Sequence, residues 1–171
     1  MKQFFADHID QMDLALDQLA LRDRNFDRFA IMLIDNLVEV TLHQYAEDQK
    51  AKSNTGWSNK AATDPKIEAA LGPRFDAKLQ LAQSTGLISN DICESIRCLH
   101  VFRNTAYHRG LRHEGILHSL ALFYFKNACT VLEGYSPLFW SSSSRDQISH
   151  RAMKYLGNID FFNPREAFMS A

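Results

Sequence analysis

Phe5, Ile9, Met12, Leu16 and Leu19 recur at steps of four and three, a spacing that brings apolar side chains onto one face of a helix. It predicts a first helix over residues 3–20. A second stripe, Phe26, Ala30, Leu33, Leu37 and Val40 with Phe29 and Ile34 beside it, predicts a second helix reaching residue 48. The polar turn Arg22-Asp23-Arg24-Asn25 joins the two as an antiparallel hairpin. Periodicity then stops. Residues 50–64 read as a polar loop holding Lys50, Lys52, Trp57 and Lys60.

Asp64-Pro65 restarts a helix, because an aspartate caps the first turn and proline suits the first helical position. Gly72-Pro73 should break or kink that helix, which then resumes as far as Gly86. Ser89-Asn90-Asp91 caps a further helix with Ile92, Ile96, Leu99, Phe102 and Ala106 facing inward and Gly110 as its stop. The next is the most apolar: Ile116, Leu117, Leu120, Phe123, Tyr124, Ala128, Val131 and Leu132, ended near Gly134. A serine run at 141–144, a short helix over 145–156 and a tail with Phe161, Phe162 and Phe168 complete the chain. The expected fold is therefore all-α, an antiparallel bundle of five to six helices over residues 1–135. Residues 136–171 form a C-terminal extension, whose aromatic residues call for packing on the bundle or on a second copy.

Composition agrees with this picture. With 171 residues, 46% hydrophobic and 23% charged, the chain is the size of one domain, outside the disordered and fibrous classes. Cys93, Cys98 and Cys129 are odd in number and include no CxxC pair, which argues against a disulfide framework or structural zinc and for a reducing, cytoplasmic setting. Asp7 follows the start too closely for a signal peptide's apolar core. No run approaches the roughly 20 apolar residues of a membrane span, so no membrane partner is expected. The net charge of −1 is unevenly spread: residues 1–48 carry ten acids against four bases, and residues 49–109 carry five against nine. A nearly neutral chain can thus still offer phosphate a cationic surface.

The chemistry concentrates in residues 95–113, SIRCLHVFRNTAYHRGLRH, where Arg97, Arg103, Arg109 and Arg112 accompany His100, His108 and His113 with no acid in the run. On a helix, Arg97, His100, Asn104 and His108 fall at steps of three or four and share a face. RNA cleavage by a ribose 2′-hydroxyl needs one proton removed and another delivered to the leaving oxygen, and a histidine can do either. Charge growing on the phosphoryl oxygens calls for a guanidinium. His108 and Arg103 are assigned these catalytic roles, with Asn104 orienting the phosphate or fixing the His108 tautomer. Arg97, His100, Arg109 and Arg112 are assigned to RNA binding. His108, His113 and His118 lie five residues apart, a step that leaves the helix face, so neither a metal site nor another cofactor is expected.

The segment Arg103-Asn104-Thr105-Ala106-Tyr107-His108 resembles the motif of the HEPN superfamily, an arginine followed by a polar residue and, four to six positions on, a histidine. Its place near the end of a late helix, before a glycine and another apolar helix, is also similar. The resemblance implies a helical bundle, a homodimer with two motifs facing each other, and metal-independent endoribonuclease activity of toxin or host-defence type. It also implies an antitoxin or regulatory protein as partner. Some HEPN toxins carry a modified tyrosine two residues after the histidine; Gly110 stands there in this chain, so that mode of neutralisation does not carry over. Two other readings stay open: a non-catalytic HEPN-like dimer that binds a nucleotide or protein, and a structural helical subunit.

Overall fold

A computed structural model describes residues 2–54, 64–109, 114–138, 143 and 146–156, without the side chains of 106–109, 114 and 156. Among the described residues are seven α-helices and no strand. They are α1 (Lys2–Ala20), α2 (Arg24–Asn54), α3 (Pro65–Leu71), α4 (Phe75–Ser84), α5 (Asn90–Arg109), α6 (Leu117–Gly134) and α7 (His150–Leu156), with a 3-10 turn at Glu114–Ile116 before α6. The fold is all-helical, as the periodicity predicts. One helix more than expected arises because Gly72-Pro73 separates α3 from α4. Gly72 is extended, its N–H closes on Ala69 O at 3.3 Å, and Pro73 has no N–H with which to continue. At the other end of α3, Asp64 accepts from the Lys66 N–H with Pro65 next to it, as the sequence suggests.

α2 begins inside the expected turn and runs six residues past its expected end. The reversal is confined to Leu21–Asp23, with Arg22 at φ 48°. α1 returns antiparallel on α2, shown by His8 meeting Thr41 while Gln11 meets Leu33. α2 also touches α3, α4, α5 and α6, so its buried face is wider than one stripe. Ala30, Ile34 and Leu37 are buried as expected, but Phe26, Phe29 and Val40 are 38%, 56% and 40% exposed, and Ile31 and Val38 take the core instead. On α1, Ala15 is buried, whereas Leu16 is exposed.

α6 runs parallel to α2. Three buried aspartates of α2 receive partners in matching order: Asp27 from His118 Nδ1 at 2.8 Å, Asp35 from the Tyr124 hydroxyl at 2.6 Å, and Asp48 from the Tyr135 hydroxyl at 2.8 Å. Leu37, Leu79, Ile96, Leu117 and Tyr124 are at most 1% exposed within one continuous core. Burial of each such side chain contributes on the order of 1.5–3 kcal/mol. Of the C-terminal extension, residues 146–156 lie along α1. Arg151 reaches Asp17 at 2.8 Å, the Gln147 N–H donates to Gln3 Oε1 at 2.7 Å, and Ala152 is fully buried. Trp57, Lys60, Gly110, most of the serine run and the phenylalanines at 161, 162 and 168 lie outside the described residues. No described helix is long and apolar enough to cross a membrane.

Candidate functional site

α5 buries Cys93, Ile96 and Leu99 and half-buries Ile92 and Phe102, which turns the flank carrying residues 97, 100, 103 and 104 toward α2 and α4. α4 and α5 form an antiparallel hairpin: Gln83 donates to Asn90 near the turn, and Arg97 reaches Asp76 farther along. Phe75, at the start of α4, lies flat against the His100 imidazole, with centroids 3.8 Å apart and planes 10° from parallel.

His100, Asn104, Arg103 and Asp35 close a ring. His100 Nδ1 lies 2.8 Å from Asp35 Oδ1 and, facing a carboxylate, donates to it. Its Nε2 is then an acceptor, 3.0 Å from the Asn104 amide nitrogen. Asn104 Oδ1 accepts from a terminal guanidinium nitrogen of Arg103 at 2.7 Å. Arg103 Nε stands 3.3 Å from Asp35 Oδ2, an ion pair not aligned as a hydrogen bond, and neither atom has a hydrogen-bond partner. The Tyr124 hydroxyl adds a second donor to Asp35 Oδ1. Burial first, and then the Asp35 charge, push the Tyr124 phenol well above its ordinary range, so it stays a donor. Asp35 has no exposed surface, whereas Arg103 keeps 31% of its side chain exposed.

The run from 95 to 113 is acid-free in sequence but not in space. Arg97 is held by Asp76 of α4, with Nε and Oδ1 3.1 Å apart, and by Glu94 one turn back, so its fork is committed within the protein. His100 is committed to Asp35 and Asn104. Asn104, assigned to the phosphate or to His108, bonds Arg103 and His100 here. The backbone of His108 is in the last turn of α5, about 6 Å along the axis from Asn104 at the standard helical rise. The side chains of His108 and Arg109, and the whole of Arg112 and His113, lie outside the described residues. His118 pairs with buried Asp27, and Lys50 pairs with Glu68 at 3.1 Å. Among the described residues no three His, Cys, Asp or Glu side chains converge as metal ligands.

Asp35, Tyr124 and Phe75 are not among the residues that the sequence pattern assigns to the site. A signal for Asp35 is present all the same: it follows Ile34 and stands four residues after Ile31 and three before Val38, so it occupies the apolar face of α2. A carboxylate there must be paired. Compared with family models, curated proteins and solved structures, the chain matches none.

Proposed function

We propose that the chain is a metal-independent endoribonuclease of toxin or host-defence type, acting in the cytoplasm as a homodimer of HEPN-like subunits. The observation that carries this reading is the guanidinium of Arg103, partly exposed yet anchored by Asp35 and Asn104, on a residue five positions before His108 in the same helix. A cation fixed before substrate arrives stabilises growing phosphoryl charge without having to reorganise. In the proposed reaction a histidine takes the proton of the ribose 2′-hydroxyl, whose oxygen forms a bond to phosphorus. The bond to the 5′-oxygen breaks as that oxygen gains a proton. The products are a cyclic phosphate and a free 5′-hydroxyl. One His108 can serve one of the two proton transfers; a second copy of the chain supplies the other histidine. Arg109 and Arg112 complete the RNA-binding surface, and an antitoxin or regulatory protein restrains the activity.

A second reading is favoured by one observation: the charges of both Arg97 and Arg103 are already met by carboxylates. A non-catalytic helical dimer binding a nucleotide or a protein would use α5 in that way. Incubating the purified protein with total RNA, with and without chelator, separates the two. Cleavage that persists in chelator and is lost in His108→Ala supports the nuclease. Intact RNA throughout, with RNA or nucleotide still bound, supports the alternative.

A further inference from the structure

We propose that His100 is a positioning residue: its imidazole, held between Asp35 and Asn104, sets the Asn104 amide and through it the orientation of Arg103. This rests on the endoribonuclease reading for its catalytic consequence, although the link from His100 to Arg103 stands on geometry alone.

His100 is poorly placed to touch substrate. Its side chain is 17% exposed, one ring face is covered by Phe75, and both nitrogens are engaged at 2.8 and 3.0 Å. Instead it decides the direction of an amide. Nδ1 faces Asp35 and Nε2 faces the Asn104 amide nitrogen, so Asn104 presents its NH2 to His100 and its oxygen to Arg103. That oxygen is the well-aligned anchor of the guanidinium, since the contact from Arg103 Nε to Asp35 Oδ2 is a misaligned ion pair.

A side chain that offered a donor in place of Nε2 would set two donors against each other across the 3.0 Å contact with the Asn104 nitrogen. Turning the amide would relieve that clash and create another, NH2 against guanidinium. Either way Arg103 loses an anchor. The charged and titratable groups around the imidazole are few. α2 contributes Asp35, and α6 contributes Tyr124 through the same carboxylate oxygen. On α5, Arg103 closes the ring and Arg97 is one turn away. On α4, Phe75 covers the ring, while Asp76 is taken by Arg97, and Lys78 by Gly72 O and Glu39.

The test uses the full chain, a short single-stranded oligoribonucleotide, and the variants His100→Gln and His100→Phe. Glutamine can offer Asn104 an acceptor, and phenylalanine keeps the stack on Phe75 alone. His100→Phe is expected to lower kcat by about 10²-fold with KM little changed, the size of effect that follows a misplacement on the order of 1 Å. His100→Gln is expected to recover most of that rate. Independently of cleavage, the Arg103 Nε–H resonance, assigned with Arg103→Lys, should move in His100→Phe and return toward its wild-type position in His100→Gln. Wild-type rates in His100→Phe, no recovery in His100→Gln, or an Arg103 resonance that stays in place in His100→Phe would each overturn the proposal. A wild-type protein that leaves RNA intact while its Arg103 resonance moves in His100→Phe and returns in His100→Gln would remove the nuclease reading and keep the positioning role.

Discussion

Asp35 and His100, 65 residues apart in sequence, meet at 2.8 Å where α2 passes α5, and the contact is nearly sealed from water. A carboxylate in that place is tolerated because Tyr124, His100 and Arg103 surround it, and the converse follows as a test. Asp35→Ala should cost about 1–3 kcal/mol for each buried donor it leaves without an acceptor, the Tyr124 hydroxyl first. Tyr124→Phe should cost about 1.5–3 kcal/mol, since it deletes one hydrogen bond to a charged acceptor. Urea unfolding of the two variants measures both. A loss below that of an ordinary surface substitution for Asp35→Ala would mean the carboxylate is not what holds the cluster.

Cleavage should respond differently to the two motif residues. His108→Ala is expected to slow RNA cleavage by about 10²–10⁴-fold and Arg103→Ala by about 10²–10³-fold. Arg103→Ala should in addition lower stability, because it leaves Asp35 without its countercharge. Arg103→Lys tests the fork: the charge near Asp35 is kept, the bond to Asn104 Oδ1 is weakened, and cleavage stays low. Gel assays paired with thermal melts of the same samples distinguish these outcomes.

Arg97 belongs to an acid-free run of sequence that suggests RNA binding, yet its guanidinium lies between Asp76 and Glu94. A cation already neutralised releases few counterions on meeting phosphate. Arg97→Gln should therefore leave the slope of log affinity against log salt nearly unchanged, whereas removing a cation that does meet a phosphate of single-stranded RNA lowers that slope by about 0.7. Fluorescence anisotropy with a labelled oligoribonucleotide at several salt concentrations is the measurement. A clear fall in slope would restore Arg97 to the binding surface.

His8 gives the fold a pH dependence of its own. Burial, opposed by the hydrogen bond to Phe4 O and by the charge of Asp7, lowers its pKa to about 4. The ring is therefore neutral, donating from Nδ1 to Phe4 O at 2.7 Å, with Nε2 3.0 Å from Thr41 Oγ1, whose hydroxyl donates to Leu37 O at 2.8 Å. A histidine with a depressed folded pKa binds its proton more readily when unfolded. Its contribution is thus complete above the unfolded value of about 6.5 and is lost as pH falls toward about 4. Over that window the loss is about 3 kcal/mol at the rate of 1.36 kcal/mol per unit. Denaturation at pH 7, 5.5 and 4.5 should show that decline in the wild type and a flatter one in His8→Gln.

The helices were legible wherever one face dominates. α4, α5 and α6 begin and end close to their capping and breaking residues, and Ile96, Leu99, Leu117, Tyr124 and Val131 are inside as their spacing predicts. α2 was less legible because five neighbouring helices surround it. A helix buried on most sides has no single apolar stripe, and its polar inward residues, Asp27, Asp35, Thr41 and Asp48, are invisible to a count of hydrophobic positions. The same limit applied to the candidate site. Arg103 and Asn104 stand next to each other in the chain and could be read as a pair, but the acids that meet Arg97, His100 and Arg103 from other elements come from α2 and α4, and no spacing rule within α5 could have supplied them.

The three aspartates of α2 and their partners beside α6 act together as a vernier. Asp27, Asp35 and Asp48 span 21 residues, about 32 Å of helix, and each must meet its own partner, His118, Tyr124 or Tyr135. Sliding α6 by one turn, a shift that apolar ridges and grooves tolerate, would part each carboxylate from that partner. Deleting one residue between Asp27 and Asp35 would rotate one end of α2 by about 100° against the other, so the pairings on the two sides of the deletion could not form at once. The spacing of α2 between residues 27 and 48 should therefore tolerate substitutions far better than changes of length, and the alignment of two parallel helices is set by polar contacts that hydrophobic packing alone could not specify.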